Sequence, residues 1–310
     1  MELAFLILAH TDLPQLKHLC VKLSGYGDVY IHVDGKTSDS YVVELKEFLR
    51  SIKGKYYVLD KRVNVHWGAY SQVLAERSLL DAAFGDDNKV YDRVFLLSGL
   101  CYPLFSKEKL LRYCEENKEA ELMTAYNVTQ GNVKRQRNKI CLYHFFRDIP
   151  IRHKSMIRRF IIGGTMLTLK YFGVRRKPFL TINGKRWDVF FSSQWFGLTG
   201  KCASYVLEQM KYNKTLENYF MSTYVPDELV IPTIVMNSEY GKTAQLVDRS
   251  DLVSCSMLRY MHYTDHVWEY DEHDYDVLIQ SNKPFVRKLV SCKSKKLIEM
   301  IDNLHEQEQN

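Results

Sequence analysis

Two adjacent carboxylates, Asp227 and Glu228, follow Pro226 and precede the apolar run Leu229-Val230-Ile231-Pro232-Thr233. Proline suits the first turn of a helix and acids there complement its dipole, so the stretch reads as the start of a short buried helix. A carboxylate so placed can take a proton from a substrate or merely cap the helix. For an isolated Pro-Asp-Glu, capping is the commoner role. No pair of acids stands where a metal site is expected. Asp274-Tyr275-Asp276 has a metal-ligand look, but it falls in the acidic stretch from Glu269 to Asp276 and reads as a solvated loop.

The elements that must position such a site come from hydrophobic periodicity. Apolar strand-like runs at Ala4 to Leu8, Val29 to Val33, Tyr56 to Leu59 and Val94 to Leu97 alternate with helical patterns near Asp12 to Leu23, Ser40 to Ile52 and Ser71 to Ala83. This alternation predicts an α/β fold with a mostly parallel sheet. Ligands in such sheets bind beyond the strand C-termini. Those ends carry Ala9-His10-Thr11, His32-Val33-Asp34-Gly35-Lys36, Val65-His66-Trp67-Gly68 and Ser98-Gly99, a polar, glycine-containing set suited to a nucleotide. Further along, Phe190 to Leu198 reads as a strand, Lys201 to Met210 and Asp227 to Met236 as helices, Leu258 to His262 as a strand, Phe285 to Val290 as a helix start or strand end, and Lys293 to Asn310 as an exposed charged helix.

With 310 residues, 46% of them hydrophobic, the chain can bury a substantial core. Seven cysteines, Cys20, Cys101, Cys114, Cys141, Cys202, Cys255 and Cys292, stand singly and in odd number. Their spacing speaks against a zinc site and a secreted disulfide framework. The first apolar run is too short to span a membrane and lacks a basic leader, so an intracellular protein is expected. Charge is uneven: residues 134 to 186 hold fifteen Lys and Arg against one acid, Asp148, whereas the whole chain has 43 Lys and Arg against 37 Asp and Glu. One segment thus carries all of the positive excess.

Six motifs in order, Tyr30-Ile31-His32-Val33-Asp34, Val65-His66-Trp67-Gly68-Ala69-Tyr70-Ser71, Phe95-Leu96-Leu97-Ser98-Gly99 with Tyr102-Pro103, Ser193-Gln194-Trp195-Phe196, Pro226-Asp227-Glu228 and Phe285-Val286-Arg287-Lys288, carry a resemblance. The chain resembles the core-2/I-branching β-1,6-N-acetylglucosaminyltransferase family (glycosyltransferase family 14), which also includes the peptide O-xylosyltransferases. The resemblance implies a GT-A-like, Rossmann-type fold, a UDP-sugar donor and inverting transfer. It assigns Glu228 as the base and leaves Asp227 as a helix cap or supporting group. Because the family resembles a metal-free variant, no divalent metal or other cofactor is expected; Val94 to Leu97 indeed runs into Ser98-Gly99-Leu100-Cys101, which has no carboxylate. Arg259 and Lys288 are then assigned to the diphosphate, with Arg287 the nearest competitor to Lys288.

For the nucleotide the resemblance points to Asp34, with His10, Val33 and Lys36 in the same pocket and Trp67-Gly68 at a turn where backbone approaches it; a structural tryptophan is the alternative. Ser98, Gly99, Gln194, Trp195 and Asp227 are assigned to the acceptor or sugar wall, although Trp195 also suits a core. Family members commonly carry an acid where this chain has Cys101, so N-acetylglucosamine, the first choice of sugar, competes with xylose. A carbohydrate or polyanion binder without catalysis is the other class.

The organisation expected is one catalytic domain over 1–292, with 134–186 as a basic helical insertion, and a charged helical tail over 293–310. The insertion sets Lys134, Arg135, Arg137, Lys139, Arg147, Arg152, Lys154, Arg158, Arg159, Arg175, Arg176 and Lys177 beside Phe160-Ile161-Ile162 and Met166-Leu167-Thr168-Leu169. It reads either as a contact with an anionic membrane or as a solvated lid over the acceptor cleft. Nucleic acid is not expected, since no binding motif surrounds the patch. A cytoplasmic enzyme, peripheral on the inner membrane face and acting on a glycan or lipid-linked saccharide in bacterial surface polysaccharide synthesis, completes the expectation.

Overall fold

The computed structural model describes residues 1–85, 89–149, 155–248, 251, 256–262 and 267–308. Arg152, Lys154 and Cys255 lie outside the described residues; the other six cysteines are free thiols. The first half runs β1 (Leu3–Ala9), α1 (Leu13–Leu23), β2 (Asp28–Val33), α2 (Asp39–Ser51), β3 (Tyr56–Val58), α3 (Ser71–Phe84), β4 (Arg93–Ser98), β5 (Cys101–Pro103), α4 (Lys107–Glu116) and β6 (Thr124–Asn127). The basic segment forms α5 (Lys134–Cys141), α6 (Met156–Tyr171), β7 (Phe179–Ile182) and β8 (Lys185–Asp188). There follow β9 (Phe190–Phe191), β10 (Gly197–Thr199), α7 (Gly200–Tyr212), α8 (Lys214–Phe220), a 3-10 turn at Pro226–Glu228 and α9 (Val230–Met236). The chain closes with β11 (Gln245–Leu246), β12 (Arg259–Tyr260), α10 (Tyr275–Gln280), β13 (Phe285–Arg287) and α11 (Lys295–Gln307).

A five-stranded sheet of order β10-β4-β1-β2-β3 forms the centre, parallel except for β10 at one edge. The α/β class and the mostly parallel sheet expected from the sequence are borne out. Both sheet faces are covered, which is why its strands read as continuous apolar runs. Ala4, Leu6, Tyr30 and Leu96 pack with α3, α7 and α9 on one face; Leu3, Phe5, Ile7, Val29 and Phe95 pack with α1, α2 and α11 on the other. Each fully buried Leu or Phe contributes roughly 1.5–3 kcal/mol. Register then fixes the site. Ala9 is level with Val33, and Leu8 with Ser98, so the loops after β1, β2 and β4 open at one edge.

Four expectations need correction. The run Phe190 to Leu198 is not one strand: β9 pairs with β6, β10 pairs with β4, and residues 192–196 pass between the two sheets. Gly197, where β10 begins, lies so close to the Phe95 ring that a Cβ would sit 2.7 Å from it. Asp227 to Met236 is likewise not one helix. Pro232 has no N–H to donate to the carbonyl of Glu228, four residues back, and that carbonyl accepts from the Ser192 amide instead, at 2.9 Å. The tail helix α11 is not simply exposed, because Leu297, Ile298, Ile301 and His305 form a buried face. Finally, α5 of the basic segment belongs to the core, with Gln136, Lys139 and Ile140 buried. Among the described residues no helix is long and apolar enough to cross a membrane.

Candidate active site

The open edge of the sheet borders a cavity of about 720 Å³. Glu228 enters it from the 3-10 turn. Val225, just before that turn, holds a left-handed backbone (φ 50°), an unusual state for a β-branched residue that costs of order 1–3 kcal/mol. Glu228 Oε2 accepts from Lys139 Nζ at 3.0 Å, and both side chains are largely buried, 16% and 9% exposed. The ammonium also lies 4.4 Å from the centre of the Phe191 ring. Burial raises the Glu228 carboxyl above its ordinary value, and the Lys139 charge and hydrogen bond oppose that rise.

Asp227 lines the same cavity but has a different partner. Its Oδ2 accepts from Gln72 Nε2 at 3.0 Å, while its buried Oδ1 has no hydrogen-bond partner among the described residues. Burial first, and the Glu228 charge second, push it up to about 8. One turn along α3 from Gln72, Glu76 is buried and accepts from Gln194 Nε2 at 2.8 Å. It is raised well above the usual carboxylate range by burial and by Asp227. The helix-cap role expected of Asp227 is not what the structure shows: α9 has no side-chain cap, and both acids of the motif face the cavity.

Two guanidiniums line the same cavity. In the parallel pair β12-β13, Arg259 is level with Phe285, two residues before Arg287, so the two arginines project from one face. They lie 4.8 and 4.7 Å from the centre of the Trp195 ring. Arg259 donates to Ser193 Oγ at 3.4 Å, but its Nε and Nη1, and the Nε of Arg287, have no hydrogen-bond partner among the described residues. Burial pushes Arg259 down to about 9, with the Cys101 thiol opposing and Arg287 assisting; burial also lowers Arg287. Unpartnered buried guanidinium donors are costly, and an anion in the cavity would satisfy them.

Lys288, one residue on, does not line this cavity. Strand alternation turns it away from Arg287, and its Nζ pairs with Glu269 Oε1 at 2.7 Å. Asp34 does line it, with Oδ1 accepting from the amides of Lys36 at 2.9 Å and Val65 at 3.2 Å, so this carboxylate ties the β2 loop to the next one. Lys36 donates to the Val65 carbonyl and lines the cavity together with His10, Trp67 and Ser98. Val33 is fully buried in the sheet and Gly99 serves as a spacer against Ala9; neither lines the cavity. Gly68 also stays behind the wall. Its positive φ (68°) and missing Cβ let Tyr224 approach, and its amide donates to Gln72 Oε1 at 2.6 Å. Asp274 is engaged in a capping box with Asp271, and neither it nor Asp276 reaches the cavity.

The Core-2/I-Branching enzyme family model matches residues 3–278. The chain belongs to that family. It is a glycosyltransferase. Solved structures similar to this family member include mouse xyloside xylosyltransferase 1, at 10% identity over 92% of this chain and 97% of that one, with a TM-score of 0.38. HddC from Yersinia pseudotuberculosis is 12% identical over 64% and 78% of the respective chains (TM-score 0.28). Core-mannan synthase A from Aspergillus fumigatus is 10% identical over 79% and 73% (TM-score 0.34). No curated protein matches the chain.

Several residues in or directly behind the cavity wall of this glycosyltransferase escaped sequence reasoning as site residues. Lys139 was one cation among many, yet Gln136, Lys139 and Ile140 follow helical spacing, so the apolar anchor Ile140 marks the buried face. Gln72 and Glu76 share the inward face of α3 with Ala75 and Leu79, a signal of the same kind. His32 has a buried ring whose Nε2 accepts from the Val63 amide at 2.9 Å, and burial lowers its pKa, consistent with a neutral ring holding the loop. Arg287 outranks Lys288 only once the β12-β13 register is known.

Proposed function

We propose that this glycosyltransferase moves a sugar, N-acetylglucosamine in the first instance, from a UDP-sugar to a hydroxyl of a glycan or lipid-linked saccharide, with inversion and without a divalent metal. The reading is carried by one juxtaposition: a lysine-paired carboxylate and two under-bonded guanidiniums share a single cavity. Glu228 takes the acceptor proton as the acceptor oxygen bonds to the anomeric carbon. The bond from that carbon to the diphosphate breaks on the other side, and UDP leaves with the electron pair. Arg259 and Arg287 meet the charge that develops on the diphosphate, the role a metal fills in other enzymes. Lys139 keeps Glu228 ionised until the proton arrives. His10, Asp34 and Lys36 face the nucleotide, and Trp195 offers its ring to the sugar.

Glu228→Gln tests the reading. Transfer and UDP-sugar hydrolysis should fall by about 10²–10⁴-fold while UDP still binds, and near-normal turnover refutes Glu228 as the base. Activity should persist in EDTA; loss there, restored by manganese, removes the metal-free part. Thermal shifts across UDP-sugars rank the donors, with UDP-N-acetylglucosamine expected to stabilise the fold more than UDP-xylose. A setting in bacterial surface polysaccharide synthesis belongs to the same proposal.

A further inference from the structure

The helix α6 is built inside out. Arg158 is its only fully buried residue, whereas Met156, Phe160 and Tyr171 are 76%, 82% and 86% exposed. At 100° per residue, Met156, Phe160, Leu167 and Tyr171 fall on one stripe, and Arg159 and Lys170 flank it. Exposed Phe172, Arg175 and Lys177 extend the surface beyond the helix. A soluble helix normally turns such a stripe toward the core. Contiguous exposed apolar residues mark an interaction site, and the cations around them specify the sign of the partner. The described part of segment 134 to 186 offers a single acid, Asp148, which accepts from Ser71 Oγ.

The underside of this helix reaches the active site. Arg158 lines the cavity and donates to the Arg147 carbonyl at 2.6 Å. Arg147 covers the Tyr224 ring at 4.0 Å, and Tyr224 meets the cavity residue Trp67 edge to face. The apolar stripe therefore faces outward from an element whose opposite side is cavity wall.

We propose that α6 is an interfacial membrane helix that docks on an anionic bilayer and brings the cavity to acceptors anchored in that bilayer. Phe160, Leu167 and Tyr171 enter the boundary between headgroups and acyl chains, and Arg159, Lys170, Arg175 and Lys177 meet the lipid phosphates. The docking face stands on α6 alone. The acceptor class, a saccharide on a lipid, rests on the glycosyltransferase reading.

Co-sedimentation of the full chain with phosphatidylcholine vesicles, with and without phosphatidylglycerol, tests this. Binding should require phosphatidylglycerol, weaken with salt, and fall by about tenfold or more in Phe160→Glu/Leu167→Glu and in Arg159→Glu/Lys170→Glu. Both variants change exposed side chains, so the UDP-induced thermal shift should match wild type and report that the fold and nucleotide site are intact. Absence of wild-type binding, equal binding to neutral vesicles, or binding unchanged in both variants overturns the proposal. So does a dimer that Phe160→Glu/Leu167→Glu dissociates with no vesicle binding, which makes a second copy the occupant. Vesicle binding in a chain that never hydrolyses UDP-sugars sustains the docking face and overturns the acceptor assignment.

Discussion

Glu228 sits between two opposed influences, burial that favours its neutral form and the Lys139 ammonium that favours its charge. Lys139→Met removes the main opposition to burial and leaves only the weaker charge of Arg135 against it. The acid limb of the kcat profile should then move to higher pH, whereas Lys139→Arg, which keeps the charge, should hold it near the wild-type position. Loss of the partner also strands a buried carboxylate, so a fall of about 3–5 kcal/mol in stability is expected for the methionine variant by denaturant titration. The two neighbouring cations on β13 separate just as cleanly. Arg287→Met should weaken UDP binding by about tenfold or more, while Lys288→Met, which only removes a pair with Glu269, should leave calorimetric affinity near wild type. The resemblance singled out Glu228, whereas the proline and two acids before an apolar run read by themselves first as a helix cap. Sequence reasoning chose between Arg287 and Lys288 wrongly as regards the cavity, because strand parity depends on a partner strand distant in sequence.

Elements with buried strands on both faces were the legible part of the fold. The runs of β1, β2 and β4 are continuous and apolar, and the intervening helices follow 3.6-residue periodicity with clear starts such as Asp12, whose carboxylate accepts from the Gln15 amide at 3.1 Å. Phe190 to Leu198 misled because two strands of different sheets share one uninterrupted apolar stretch. The junction rests on Gly197, whose missing Cβ makes room for the Phe95 ring and, at 3.3 Å, for Leu122. Gly197→Ala should therefore lower stability by about 1–3 kcal/mol, read from chemical denaturation, with the loss falling on the β10 edge. The tail helix misled differently: its composition is charged, and only its spacing of Leu297, Ile298 and Ile301 reveals the side that packs.

For the molecule as a whole, the buried acids tie folding to pH. In the unfolded chain Asp227 and Glu76 release their protons near pH 4, whereas the fold holds the Asp227 proton up to about 8 and raises Glu76 as well. Between those limits the folded state binds more protons, so this contribution is complete below about pH 4 and is lost as pH rises toward 8. Buried His32 and His144 act in the opposite sense: burial lowers both, His144 to about 4, so they destabilise the fold as pH falls below about 6.5. The clean measurement is thus a difference. Asp227→Asn should gain thermal stability relative to wild type progressively from about pH 4 to 8, and a flat difference across that range would contradict the raised Asp227 value.

Pro232 gives the molecule one more property. By leaving the Glu228 carbonyl unclaimed within its own helix, it allows the Ser192 amide to bond there, two residues ahead of Gln194 and three ahead of Trp195. Glu228 and the stretch that carries Gln194 and Trp195 are thereby stitched together by main chain. The Ser192 amide is consequently a natural deuterium-exchange reporter: its protection measures how long the Glu228 turn stays seated, with or without nucleotide, and needs no label and no turnover to be read.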